Sequence, residues 1–108
     1  ENQYDAIILA RAGLKRLDLL NSVKYATAID TDIMIPAMAQ GALGIETNKE
    51  PEIIELVSKL DDKATRICTT IERDFVRDLG LGCHAPVGIK AKIQEDGTIR
   101  VKAILEKA

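Results

Sequence analysis

The spacing of apolar residues changes several times along this chain, and each change marks an element. "YDAIILA" (4–10) is a continuous apolar run, the pattern of a short strand buried on both faces. "RAGLKRLDLL" (11–20) turns helical, with Leu14, Leu17 and Leu20 on one side and Lys15 and Arg16 on another. A strand running straight into a helix predicts an α/β layer. Pro36 and Gly41 interrupt the stretch from 30 to 48, leaving "IMI" and "ALGIET" as extended pieces around an irregular "PAMAQG". "PEIIELVSKL" (51–60) reads as a helix opened by Pro51, with acidic residues in its first turn as the helix dipole favours.

The clearest helix spans 61–79. Asp61 is a candidate cap, Ala64, Cys68, Ile71, Phe75 and Leu79 form an apolar stripe, and Gly80 is a stop. Alternation then takes over, with Val87, Ile89, Ala91 and Ile93 before an "EDG" turn and Ile99, Val101, Ala103 and Leu105 after it. This is a β-hairpin with one buried face. The expected fold class is α/β, becoming α+β in the C-terminal part. The 61–79 helix and the hairpin are the one unit expected to pack locally, through Ile71 and Phe75 against Val87, Ile89, Ile99 and Val101. The first strand has no parallel neighbour within reach and the hairpin no third strand, which reads as a piece of a larger protein.

Composition narrows the function. At 108 residues the chain is the size of one small domain. One Phe, two Tyr and no Trp give little to stack nucleic-acid bases on, and a net charge of −2 removes the general electrostatic case for polyanion binding. No apolar run approaches a membrane span, and the first residues lack a signal-peptide pattern. Two cysteines make a poor disulfide framework, so a reducing, cytoplasmic setting is expected.

The chemistry concentrates in "GLGCHAPVG" (80–88), where Cys83 precedes the only histidine. A disulfide with Cys68 requires a separation that sequence does not establish. A metal site with His84 fails on ligand count, and no metal is expected. A Cys83–His84 catalytic pair is weak, because adjacent residues of an extended loop point opposite ways. Two readings remain: an accessible thiol suited to covalent attachment of a group, and a plain turn cysteine. Cys83 is expected in an exposed loop and Cys68 buried on its stripe. Lys15 and Arg16 are a solvated face or, for Arg16, a bidentate fork for a carboxylate. Gln40-Gly41 is a plain loop, a hinge, or a place where backbone N–H groups meet an anion.

Taken in order, "DAIILARAGLKRL", "IPAMAQGALGIE", "IERDF" and "GCHAPVG" followed by a "DG" hairpin resemble the porphobilinogen deaminase (hydroxymethylbilane synthase) family over essentially the whole chain. The resemblance implies a fragment of a three-domain, periplasmic-binding-protein-like transferase of heme and tetrapyrrole biosynthesis. Such an enzyme condenses four porphobilinogen molecules into the linear tetrapyrrole hydroxymethylbilane, releasing ammonia. It implies a dipyrromethane cofactor joined by a thioether to Cys83, a soft thiol suited to capturing the electrophilic azafulvene left when porphobilinogen loses ammonia. Arg16 would bind pyrrole carboxylates, Ala10 and Gly41 would offer backbone donors, and Gln40 would line the cleft near the hinge.

The same resemblance divides the chain into 1–31, the last strand and helix of the middle domain, 32–60, a crossover strand and helix of the first domain, and 61–108, the start of the C-terminal, cofactor-tethering domain. The family's catalytic aspartate belongs to an earlier segment, so no catalytic residue is expected here and the chain alone should be inactive. The family is usually monomeric, whereas this piece could self-associate. Its partner is the small molecule porphobilinogen, with neither nucleic acid nor membrane. Departures from the family pattern are Ala39 for Gly, Gly80-Leu81 for Glu-Gly, and Asp74 for Ala; His84 carries no catalytic role. The alternative reading is a small non-catalytic α/β domain whose loop cysteine is incidental.

Overall fold

The computed structural model describes residues 3–80 and 86–106. In chain order these form helix α1 (Arg11–Arg16), a 3-10 turn (Leu20–Ser22), helices α2 (Pro51–Ser58) and α3 (Lys63–Asp78), and strands β1 (Val87–Ile93) and β2 (Ile99–Leu105). The chain divides into two compact units, Glu1–Asp30 and Thr31–Ala108.

In the first unit the expected strand over 4–10 does not form. Ile7, Ile8 and Leu9 are 71%, 67% and 57% exposed rather than buried. A strand exists only in a ladder that pairs its N–H and C=O groups, and no described segment pairs with this one. α1 follows as predicted but is shorter. Ala10, in extended conformation, is its N-cap, and its carbonyl accepts from the N–H groups of Gly13 (3.0 Å) and Leu14 (3.3 Å). The helix stops at Arg16 instead of reaching Leu20, because Asp18 takes a left-handed φ of 55° that an α-helix cannot continue through. Lys15 and Arg16 fall in the last turn, where the helix dipole favours cations.

In the second unit α2 begins as read from sequence, with Pro51 in the first turn and Glu52 beside it. It stays on the surface: Ile53 and Val57 are half-buried, while Leu56 is 65% exposed. α3 is capped by Asp62, one residue later than expected. Its carboxylate accepts the Thr65 N–H at 2.7 Å, a bond that holds the carboxyl below its ordinary range. Asp61 pairs instead with Arg66 at 3.0 Å. Gly80, at φ 66°, ends the helix by donating to the Arg77 carbonyl.

β1 and β2 pair antiparallel from Val87 with Leu105 to Ile93 with Ile99. The turn is closed by Gln94 N–H donating to the Thr98 carbonyl, and Gly97 (φ 84°) takes the left-handed position it requires. Asp96 accepts from the side chain and N–H of Thr98, which lowers its pKa. α3 packs on β1. The core is therefore Val76, Ile89 and Ala91, with Ile71 and Phe75 half-buried around them. The expectation that both strands bury one face holds for β1 only. Ile99, Val101 and Leu105 on β2 remain more than 40% exposed, since no described helix lies over that strand.

The segment before α2 wraps the outer edge of β1. The Asp32 carboxylate meets Lys102 Nζ at 2.9 Å, Pro36 offers its carbonyl to the Ile89 N–H at 2.8 Å, and Ala39 N–H donates to Glu72. The extended pieces expected at "IMI" and "ALGIET" form no strand; the Pro36–Ile89 bond is the one backbone hydrogen bond described between the segment and the sheet. Gly88 makes the close approach possible. A Cβ there would lie 2.8 Å from the Ile35 carbonyl oxygen and 2.9 Å from Ile104 Cγ2. Gly88→Ala should therefore displace the segment from β1 and destabilise this unit by about 1–3 kcal/mol. A thermal midpoint equal to that of the parent protein would show that the segment gives way freely.

Candidate functional site

A cleft of about 560 Å³ opens along the outer edge of β1, between α3 and the turn at residues 37–42. Gln40 and Gly41 line it from the turn, Cys68 and Glu72 from α3, and Lys90 and Lys92 from β1. The turn is built by two short backbone bonds, Gln40 N–H to the Ala37 carbonyl and Ala42 N–H to the Ala39 carbonyl, each 3.1 Å. Two of its residues lie in the left-handed region, Ala39 at φ 56° and Gly41 at φ 82°. Glycine adopts that conformation freely, whereas alanine pays a steric penalty of roughly 1 kcal/mol. A Cβ at Gly41 would meet nothing within 4 Å, and neither turn bond engages its amide N–H.

Glu72 anchors the turn. Its side chain is inside the protein, only 2% of the residue being exposed, yet both oxygens are satisfied. Oε2 accepts the Ala39 N–H at 2.7 Å and Oε1 accepts the Ala91 N–H at 2.8 Å. Two charge-assisted bonds from backbone amides offset the desolvation of a buried carboxylate. Its negative charge is thus directed into the protein and not into the cleft.

The electrostatics of the hairpin face bearing the lysines are positive. Lys90 lies directly opposite Lys102, and Lys92 opposite Arg100. Facing like charges are unfavourable in a sheet, and Asp32 relieves them. Hydrogen bonding and charge from Lys102, with further pull from Arg100 and Lys92, hold the Asp32 carboxyl below its ordinary value.

Of the residues singled out in the sequence, Gln40 and Gly41 share this cleft. Ala10 and Arg16 belong to the other compact unit, where both are exposed at opposite ends of α1. Cys83, with Leu81 and His84, lies outside the described residues. Cys68 is not buried as expected. It is a half-buried free thiol on the cleft wall, because α3 turns Glu72 and Val76 inward and leaves Cys68 at the rim of that contact. Among the departures, Asp74 makes a surface ion pair with Arg77 at 2.9 Å, and Ala39 occupies a left-handed position that suits glycine. Among the described residues, no group of His, Cys, Asp and Glu side chains is placed to hold a metal.

Sequence reasoning missed Glu72. The signal was present, since positions 68, 72 and 76 lie four apart and an acidic residue there falls on the inward face.

Comparison with known proteins gives consistent matches. A family model described as "Porphobilinogen deaminase, dipyromethane cofactor binding domain" matches residues 1–55, and one described as "Porphobilinogen deaminase, C-terminal domain" matches 66–108. Curated proteins named porphobilinogen deaminase are similar over nearly the whole chain. The Sulfurimonas denitrificans protein is 49% identical over 105 residues, 97% of this chain and 34% of its own length. The Campylobacter hominis protein is 51% identical over 105 residues, again 97% and 34%. The Campylobacter fetus subsp. fetus protein is 53% identical over 103 residues, 95% and 33%. The chain thus spans about a third of the length of the curated relatives it matches.

Proposed function

The chain belongs to the porphobilinogen deaminase family, and on that premise we propose that the complete protein condenses four porphobilinogen molecules into hydroxymethylbilane with release of ammonia. In this reading Cys83 carries the dipyrromethane cofactor through a thioether. The carboxylates of the pyrrole rings are held by Arg16, by the backbone N–H groups of Ala10 and Gly41, and by Gln40 at the cleft wall. Residues 1–31 close the middle domain, 32–60 cross through the first domain, and 61–108 open the C-terminal domain. The break between compact units after Asp30 and the interval between the two family matches support this division.

The residues of the cleft suit such a group. Dipyrromethane bears an acetate and a propionate on each ring, so its binding site must supply positive charge and N–H donors. Lys90 and Lys92 are among the residues that line the cleft, the turn's own bonds leave the Gly41 N–H unused, and the one carboxylate among the described lining residues is already bonded inward. When bound, the cofactor supplies the covalently anchored primer to which pyrrole units are added. The chain's own residues hold carboxylates, keep the ring system oriented, and tether it at one point. The aspartate to which the resemblance assigns proton handling is not among these 108 residues, so the activity is that of the complete protein.

The observation that carries this reading is the bonding between the Gln40-Gly41 turn and β1. Cys83 stands four residues before β1 in the sequence, and β1 is joined to the turn segment through the Pro36–Ile89 bond and through Glu72. The root of the tether and the turn that would meet the pyrrole carboxylates therefore share one compact unit. The cytoplasm is the proposed location, consistent with a free thiol at Cys68. Among the described residues no helix is long and apolar enough to cross a membrane.

The test is turnover. The complete protein, given porphobilinogen, should release ammonia and form a linear tetrapyrrole, with an intact mass raised by the covalent cofactor. A protein that folds, carries no added mass and leaves porphobilinogen unchanged would favour the non-catalytic domain instead.

A further inference from the structure

We propose that Glu72 is a positioning residue for the Gln40-Gly41 turn, holding residue 39 in its left-handed conformation by a carboxylate that also grips β1. Its effect on turnover rests on the function proposed above; its effect on the turn does not.

The argument begins with the strain at Ala39. With φ at 56°, this residue sits where an L side chain is disfavoured, so the turn needs an interaction that selects it. The Ala39 N–H supplies one by donating to Glu72 Oε2 at 2.7 Å. The other oxygen is engaged by the Ala91 N–H, and Glu72 is buried, so the carboxylate has no freedom to follow the turn if the turn moves. It works as a bracket with one arm on β1 and one on residue 39. Residue 40 and residue 41 follow immediately, and both line the cleft. Glu72 itself reaches the cleft wall but has both oxygens committed, so it acts through the backbone and not on a ligand.

A glutamine at this position keeps the shape but replaces one acceptor with an NH2 donor, which repels whichever amide N–H it faces. A glycine at residue 39 removes the steric penalty that the bracket opposes. The two substitutions therefore act on the same degree of freedom from opposite sides. If Glu72 positions the turn, Ala39→Gly must compensate for Glu72→Gln. If Glu72 only supports packing between α3 and β1, glycine at 39 adds flexibility and compensates for nothing.

The experiment compares the parent, E72Q, A39G and the double variant in the complete protein. Amide hydrogen exchange is read on peptides covering 37–43 and, separately, on the hairpin. In E72Q the 37–43 amides should exchange about tenfold faster, the loss expected from one charge-assisted bond, while the cross-strand hairpin amides change less than about threefold. Adding A39G should return the 37–43 peptide to within about threefold of the parent. The KM for porphobilinogen should rise about tenfold in E72Q with kcat little changed, and recover in the double variant. Equal acceleration over the turn and hairpin, or a double variant no better than E72Q, would overturn the proposal. An inactive parent would refute the functional reading, while the exchange pattern would still decide the role of Glu72.

Discussion

Cys83→Ala in the complete protein is expected to eliminate both the covalent cofactor mass and porphobilinogen turnover, with a rate loss of at least about a thousandfold, because the substitution removes the covalent route instead of weakening it. A thioether needs a thiolate-capable sulfur at the attachment point, and alanine offers none. The other thiol, Cys68, provides the internal control. It is free and half-buried on the cleft wall, and α3 holds it on a helix face, so it has no loop of its own by which to carry a growing chain. Cys68→Ala should therefore retain the added mass and most of the turnover, at a packing cost of about 1 kcal/mol. Intact mass and an ammonia-release assay decide the matter together. A Cys83→Ala protein that still carries the added mass would move the tether elsewhere, with Cys68 the first place to look.

The second large effect is expected at Arg16. Arg16→Lys keeps the charge but loses the planar fork that donates two parallel bonds to a carboxylate, and kcat/KM should fall about ten- to a hundredfold. The structural background favours a clean reading. Arg16 is exposed in the last turn of α1, and no ion pair described in the structure involves it. Lysine at that position still complements the helix dipole, so thermal stability should change by less than about 0.5 kcal/mol. Unchanged kinetics in this variant would make Arg16 a solvated surface residue, the plainer of the two readings its sequence context allows.

What was legible in the sequence was whatever depends on near neighbours. The helix α3 could be placed from its period and its glycine stop, and the hairpin from two alternating runs around "EDG". α2 could be placed from Pro51 and the acid beside it. These signals are local because helix hydrogen bonds and two-residue periodicity join positions a few residues apart. Even the cap illustrates the scale of the error: Asp61 and Asp62 are both competent, and the choice of Asp62 depends on which carboxylate reaches the Thr65 N–H. The resemblance of four ordered motifs then carried the family, which matches at about half identity bear out.

The rest was decided by contacts between distant parts of the chain. "YDAIILA" has the composition of a buried strand, but a strand requires a partner, and composition does not create one. β1 and β2 alternate equally well, yet only β1 is covered, because α3 crosses that strand. Cys68 and Glu72 both lie on the inward side of α3, and a reading by hydropathy buries the cysteine and exposes the acid. The structure buries the acid and leaves the cysteine half-buried: the amides of Ala39 and Ala91, 33 and 19 residues away, converge on one carboxylate and make its burial favourable. By itself, then, the sequence determined α2, α3, the hairpin and the family, and it nominated Cys83 as the candidate tether and Arg16, Ala10, Gln40 and Gly41 as candidate carboxylate-binding residues. Only tertiary structure decided that Gln40 and Gly41 are held against the edge of β1, because backbone amides, the groups that do the holding, are identical in every residue but proline and leave no mark in a sequence.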